Sequence, residues 1–349
     1  MSRGGVTLKD IAKTVGKSVA AVSKALNDHE DISPATREQI KQVARQMGYR
    51  PNITARRLQK QRTETLGLVV PTFFNKETTS NRQADPFFAE LLSGIADQAA
   101  TLGFDLLVST RAPGDEERQA YQRLVSQQRV DGLVVAQPRK DDWRIAFLQE
   151  QAMPFIVVGH FDQRLNAPGV FINTAHGIQQ GVDHLVEQGR SNLAFIPPPP
   201  ELLVADVCLQ IFEECVAMKQ GVQGQTTEAV AEFSQKAGYR AAQILLAGGE
   251  APDAIFACHD LVALGAMAAV QDQGFEIGSD IAVIGFDDIL LSEHAQPPLT
   301  SIHQPTYAMG QQVCEMMIDH ITNQAPAKRQ ILIDPWLVVR QSSGLALWL

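Results

Sequence analysis

TLKDIAKTVGKSVAAVSKALN (residues 7–27), ISPATR (residues 32–37) and GYRPNITARRL (residues 48–58) are the segments that decide how this chain folds. Read physically, they are three short helices followed by a basic tether. Thr7 and Asp10 have the spacing of a capping box, and Ile11, Ala12 and Val15 then form one apolar face. Gly16 permits a tight turn, and Ser18 is placed to cap a second helix. On that helix Val22 and Leu26 lie four apart and pack inward, while Val19, Ala20, Ser23 and Lys24 share the outward stripe. A small outward stripe ending in a cation, after a glycine turn, suits a helix that enters the major groove of DNA. Ser33-Pro34 opens a third helix, with proline at the first position, where its missing N–H costs nothing. That helix ends near Gly48. The plainer alternative is a three-helix bundle with no nucleic-acid role.

Charge is distributed unevenly around this head. The whole chain of 349 residues carries a net charge of −9. Residues 1–62 hold 13 Lys/Arg against 5 Asp/Glu, or +8, and the remainder holds 17 against 34, or −17. A basic head on an acidic body is the footprint of a DNA reader whose bulk avoids phosphate, although a solubilised fusion would share it. The length implies two or three compact units. Cys208, Cys215, Cys258 and Cys314 form no C-x-x-C pair, so reduced thiols in a cytosolic protein are expected. The first residues show no apolar signal-peptide core, and no apolar run reaches membrane-spanning length.

Beyond the polar stretch 59–65, expected to be a flexible exit, apolar runs alternate with amphipathic ones. Strands are predicted at Leu66-Gly-Leu-Val-Val, Phe104-Asp-Leu-Leu-Val-Ser, Val130-Asp-Gly-Leu-Val-Val and Phe155-Ile-Val-Val, with helices at 87–100, 116–128 and 143–151 between them. A second series follows, with strands at Asn192-Leu-Ala-Phe-Ile, Ala254-Ile-Phe-Ala and Ile281-Ala-Val-Ile-Gly-Phe. Its helices are predicted at 176–188, 204–218, 234–246 and 261–273. Continuous Val/Ile/Leu runs between amphipathic helices indicate parallel sheets covered on both faces. Two such series imply two doubly wound subdomains facing across a cleft.

The head closely resembles the N-terminal domain of the lactose/galactose repressor (LacI/GalR) family of bacterial transcription regulators. Thr-Leu-Lys-Asp-Ile-Ala, Ser-Val-Ala-Ala-Val-Ser-Lys-Ala-Leu-Asn, Ser-Pro-Ala-Thr-Arg, Gly-Tyr-Arg-Pro-Asn and Ala-Arg-Arg-Leu stand in the family's order and spacing. The body carries the family's punctuation as well: Asp85-Pro-Phe-Phe, Val130-Asp-Gly, His259-Asp-Leu-Val-Ala-Leu-Gly-Ala, Gly285-Phe-Asp-Asp, Pro297-Pro-Leu-Thr, Gln304-Pro-Thr-Tyr and Leu337-Val-Val-Arg. The resemblance thus covers residues 7–343. It implies a helix-turn-helix domain over 1–50, a hinge helix and linker over 51–63, and a periplasmic-binding-protein-like effector and dimerisation body over 64–349. Within that body the chain crosses between subdomains near Asn173, Gln304 and Pro335. The N-subdomain then takes about 64–173 and 304–334, and the C-subdomain about 174–303 and 335–349.

Roles follow position by position. Val19, Ala20 and Lys24 are expected to read base edges, and Thr7, Ser18, Ser23, Ser33 and Thr36 to hold phosphates. The resemblance makes Leu58 an apolar wedge in the minor groove, with Asn52 and Ala55 beside it and Arg56 and Arg57 near phosphates. Lys24 stands where the family often has arginine, which weakens bidentate reading of guanine. Phe87 and Phe88, at the mouth of the first strand, are candidates to lie on a ligand ring, with a core role as the alternative. Phe233 holds the place of a stacking aromatic on the ligand's other side. Asp287, just after a strand, is a candidate acceptor for ligand hydroxyls. Asp288 and Asp260 are expected to cap helices. Three departures concern the ligand set: Cys208 replaces a usual arginine, His259 an asparagine, and Gly159-His160 an Asp-Arg pair. Cys cannot imitate a guanidinium clamp, whereas His160 and His259 can restore some of those bonds or serve the structure alone.

No nucleophile elbow, phosphate-cradling loop or metal-ligand spacing is present, so neither an enzyme nor a metal or other cofactor is expected. The expected function is a cytoplasmic homodimeric repressor of carbohydrate-utilisation genes, released from a pseudo-palindromic operator by a small sugar or glycoside. A corepressor-dependent or ligand-insensitive regulator is the alternative within the class. A solute-binding receptor is the alternative outside it, but it requires a signal peptide and lacks a basic head.

Overall fold

The computed structural model describes residues 6–28, 30–49, 62–71, 86–323 and 330–344. The chain divides into two compact units, Met1–Arg62 and Thr63–Leu349.

In the first unit, helix α1 (Leu8–Val15) begins in a complete capping box. Thr7 Oγ1 accepts from the Asp10 amide, and the Asp10 carboxylate accepts from the Thr7 amide at 2.8 Å. Gly16 ends the helix at φ 64°, a left-handed conformation that a side chain would strain. Ser18 caps α2 (Val19–Leu26) through a 3.1 Å bond from the Ala21 amide, and Ser33 caps α3 (Pro34–Gln46). The three helices close over Ile11, Ala12, Val22, Ala25, Ile40 and Ala44. Leu26 was the expected inward partner of Val22, but Ala25 is the residue fully buried and Leu26 only partly. Positions three and four along a helix flank the same stripe, and here the inner one is held by the smaller side chain.

In the second unit the strands are β1 (Thr65–Pro71), β2 (Asp105–Arg111), β3 (Gly132–Ala136), β4 (Phe155–His160), β5 (Gly169–Ile172), β6 (Asn192–Ile196), β7 (Gln223–Thr226), β8 (Ala254–Ala257), β9 (Ala282–Asp287), β10 (Thr300–His303), β11 (Gln330–Ile333) and β12 (Trp336–Val338). They form two six-stranded sheets, ordered β11-β5-β4-β3-β1-β2 and β12-β10-β9-β8-β6-β7. Every pairing is parallel except β10 with β12. The central strands β3, β4, β8 and β9 are buried almost throughout, as expected of strands covered on both faces.

The helices α4 (Pro86–Thr101), α5 (Asp115–Ser126), α6 (Trp143–Glu150), α7 (Thr174–Glu187), α8 (Ala205–Ala217), α9 (Gln235–Leu246), α10 (Asp260–Asp272), α11 (Leu290–Glu293) and α12 (Thr306–Asn323) connect and cover them. Helices α4 and α12 touch through Gly94 and Gly310, where an added methyl would stand 2.0 Å from the Tyr307 carbonyl and 2.5 Å from that of Leu91. The chain leaves the first sheet after Ile172, returns to it after His303 through α12 and β11, and leaves again after Ile333. The first and last passages lie side by side, joined by the Asn173 side-chain amide donating to Asp334 at 2.7 Å.

Two expectations need correction. The stretch leading into β1 is pinned where a flexible exit was predicted: the Thr63 and Glu64 amides both donate to the Asp131 carboxylate at 2.7 Å. Nearby polar residues say nothing of a partner sixty-eight positions away. The strands β5, β7, β10, β11 and β12 also lie outside the predicted set. β7 is an exposed polar edge, which carries no hydrophobic signature.

Candidate functional site

In the first unit the outward stripe of α2 is available to solvent. Val19 is 40% exposed, Ala20 and Lys24 are exposed, and Ser23 is half-buried. The expected phosphate-holding hydroxyls all lie at helix starts or on α2, but several already serve the fold. Thr7 Oγ1 donates to Asp10 at 2.7 Å, Ser18 Oγ accepts from the Ala21 amide, and Ser33 Oγ donates to Thr36 Oγ1 at 2.9 Å. These bonds orient the hydroxyls at the starts of α1, α2 and α3. The Lys24 ammonium donates to Asp31 at 2.7 Å. Asn52, Ala55, Arg56 and Leu58 lie outside the described residues.

In the second unit a small cavity sits between the two sheets. It is lined by His160, Thr174, Ile178, Phe195, Pro198, Val204, Cys208, Phe233, Cys258 and Phe286. The free space is about 20 Å³, room for one water molecule. His160 enters from the end of β4 in the first half; the other lining residues come from Thr174 onward. Its Nδ1 lies 2.9 Å from Thr174 Oγ1, and its ring meets Phe286 edge to face at 5.6 Å. Burial, reinforced by nearby His259, holds the His160 pKa down at about 4, so the ring is neutral at physiological pH.

Near it, His259 is held by Leu261, Asp287 and Phe233. Its Nδ1 accepts from the Leu261 amide at 3.0 Å, so the ring proton resides on Nε2. That atom lies 3.0 Å from Asp287 Oδ2. The ring stacks on Phe233 with centroids 4.6 Å apart and planes 16° apart. Asp287 in turn accepts from the Gln304 side-chain amide through Oδ1. Asp287 and Asp288 have φ of 109° and 57°, a costly backbone for non-glycine residues, of the kind found at ligand sites.

His259, not Asp260, is the side chain that caps α10. Asp260 is fully buried and accepts from Ser292 Oγ and Ser301 Oγ, each at 2.6 Å, and from the Ile289 amide at 2.9 Å. Burial outweighs those bonds and raises its pKa to about 6. Nor does Asp288 cap a helix: it accepts from His303 at 2.9 Å and Arg340 at 2.6 Å, bracing the passage out of β10. In both cases long-range partners won over the local amide that a cap would use.

Cys208 faces the cavity as a neutral thiol, its pKa pushed up to about 12 by burial, and Cys258 is raised for the same reason. Phe87 and Phe88 meet edge to face at 5.5 Å and are buried, 8% and 5% exposed, within the apolar core; they are not among the cavity's lining residues. Sequence reasoning missed Thr174, Cys258, Phe286 and Gln304. Phe286 and Gln304 sat inside motifs already singled out, and their spacing carried that signal. Thr174 and Cys258 carried none. Among the described residues no His, Cys, Asp or Glu group has the arrangement of a metal site.

Residues 7–52 match the family model described as bacterial regulatory proteins, lacI family, and residues 182–343 match that of a periplasmic binding protein-like domain. The chain is 30% identical over 341 residues to the HTH-type transcriptional regulator CelR of Thermobifida fusca, covering 96% of this chain and 98% of that one. It is 29% identical over 337 residues to the HTH-type transcriptional repressor CytR of Escherichia coli K12, covering 97% and 96%. Among solved structures, the lac repressor dimer bound to operator and the anti-inducer ONPF superposes with a TM-score of 0.82 at 26% identity, over 98% of this chain and 100% of that one. The CelR–cellobiose complex superposes at 0.71 with 29% identity, over 97% and 99%.

Proposed function

The chain belongs to the lacI family of bacterial regulatory proteins, DNA-binding transcriptional repressors governed by a small-molecule effector, and we propose that its effector is a small uncharged sugar or glycoside taken up between the halves of the body at this cavity, which must widen to admit it because its free space of about 20 Å³ holds only one water. The observation that carries this is the lining itself. Aromatic and apolar walls come with polar atoms at His160 and Thr174, His259 stacks on the lining residue Phe233 and pairs with Asp287, and no lysine or arginine is among the lining residues. An anionic ligand would find no cation in the lining to balance its charge. A ring with hydroxyl groups would meet apolar surface for its faces and acceptors for its edge. CelR, the relative solved with cellobiose, makes that disaccharide the first probe.

Two protomers pair through their bodies in the cytoplasm and place one α2 in each half-site of a pseudo-palindromic operator. Val19, Ala20 and Lys24 read base edges, and the hydroxyls of Thr7, Ser18, Ser23, Ser33 and Thr36 hold phosphates. Effector closes the cleft, moves the halves of the body and releases the hinge segment around Leu58 from the minor groove. A coupling of about 1–3 kcal/mol suffices to change operator occupancy.

The test is a thermal-stability screen of the full chain against cellobiose, other neutral sugars and glycosides, and their phosphorylated or carboxylated analogues. Neutral compounds are expected to raise the melting temperature by mass action. Stabilisation by the anionic analogues alone would overturn the assignment. Separately, Leu58→Ala is expected to leave a folded dimer whose operator affinity falls at least about tenfold, read by fluorescence anisotropy. Unchanged affinity would remove Leu58 from the interface.

A further inference from the structure

Three of the five acidic residues in the basic head, Asp28, Glu30 and Asp31, fall within four positions directly after α2. Such crowding of negative charge beside a DNA-facing helix opposes phosphate approach and needs an explanation. Asp28 is engaged by Lys41 at 2.5 Å and lies 3.8 Å from the Arg37 Nε, so it ties the loop to α3. Asp31 does something different. It reaches back across the loop to the Lys24 ammonium on the outward stripe of α2, seven residues earlier, at 2.7 Å. Both side chains remain largely exposed, 49% and 65%. An exposed ion pair contributes little to stability, so holding the fold does not account for it.

Its effect on Lys24 is geometric. A free lysine is a flexible point charge that binds any phosphate within reach. With one ammonium proton turned to Asp31, the head of Lys24 is biased toward one position and two protons remain to be donated. Two directed donors match the O6 and N7 acceptors on the major-groove edge of guanine. A phosphate must instead compete with, and approach, the Asp31 carboxylate.

We propose that Asp31 is a specificity-determining residue, which holds Lys24 as a directed donor to a guanine edge and penalises its use as a non-specific phosphate contact. This rests on Lys24 being a base-reading residue, and the experiment separates the two claims. Full-length protein and the variants Asp31→Asn, Lys24→Ala, their double mutant and the charge-matched control Glu30→Gln are titrated with two duplexes. One is a site selected by the wild-type chain from a random library, together with its single-base variants; the other is a random-sequence duplex.

For Asp31→Asn, binding to the random duplex should tighten about threefold to tenfold, with a salt slope steeper by about one phosphate contact. Discrimination at one base pair of the selected site should fall from about tenfold toward unity. Both effects should vanish when Lys24 is already alanine. Glu30→Gln acts by general charge alone, so its smaller effect should survive in the Lys24→Ala background. The proposal is overturned if Asp31→Asn matches Glu30→Gln, or if it leaves base discrimination intact while Lys24→Ala destroys it. If Lys24→Ala leaves discrimination intact, or selection yields no preferred site, the base-reading role of Lys24 falls and this proposal falls with it.

Discussion

The outward face of α2 is supplied by one eight-residue helix, whereas the cavity of the body draws on β4, β6, β9, α7, α8 and the loops around Phe233 and Cys258. On the helix, spacing alone places Val19, Ala20, Ser23 and Lys24 together, and the caps at Ser18 and Gly16 set where the stripe begins. In the cavity, His160 and Phe286 lie 126 residues apart in sequence, yet their rings meet at 5.6 Å. A surface made by one local element can change its side chains without endangering the fold. A site assembled from many elements is bound up with the packing that assembles it.

The most demanding way to break that contrast is Asp287→Ala. It removes an acceptor from both His259 Nε2 and the Gln304 amide, each buried. Leaving buried donors without their acceptor typically costs about 1–3 kcal/mol each, and that loss is expected in the unfolding free energy of the body. All three tryptophans lie beyond residue 62, so their fluorescence during urea denaturation reports the body alone. A loss below about 1 kcal/mol would mean that this carboxylate is not part of the load the packing carries.

A smaller effect is expected from pH. His160, half-buried at the cavity, binds its proton only at about pH 4, whereas the unfolded chain binds it near its ordinary value of 6.5. Between those values the unfolded state holds more protons. His160 therefore contributes stability that is present above about pH 6.5 and drains away as pH falls toward 4. Asp260, raised to about 6, acts with the opposite sign over an overlapping window, because its folded form holds the extra proton. The contribution of His160 is isolated as the difference between wild type and His160→Gln, whose melting temperature should decline less on acidification from pH 7 to pH 4.5. Parallel declines would show that the ring is more open to solvent than the cavity implies.

The least expensive change is Ser18→Ala in the head. Loss of the cap bond to Ala21 should cost about 1 kcal/mol of that unit's stability and leave the tryptophan transition of the body where it was. A shift in the body's transition would contradict the independence of the local surface.

Much of this molecule was legible because its determinants are local. The capping box at Thr7–Asp10, the turn at Gly16 and the proline opening α3 each act within four residues, and the structure contains all three. The central strands announced themselves by continuous burial, while β7, exposed and polar, did not. The cleft was legible only in part. Asp287 could be singled out as a polar residue after a strand, but its bond to Gln304 spans seventeen positions and has no periodicity to betray it.

Asp260 and Asp288 show where local reasoning stops. Both stand beside helix starts, where a carboxylate has a ready amide partner, yet both turn to groups brought in from β10, α11 and Arg340. A buried carboxylate requires several donors at once, and only the folded chain decides which are within reach. From composition and spacing alone came the basic three-helix head, the two doubly wound halves and the stripe that faces outward. The tertiary structure alone decided which rings and thiols share the cavity, and that Lys24 is held by Asp31. Periodicity encodes the direction a side chain takes from its own element, whereas its partner is set by contacts between segments distant in sequence.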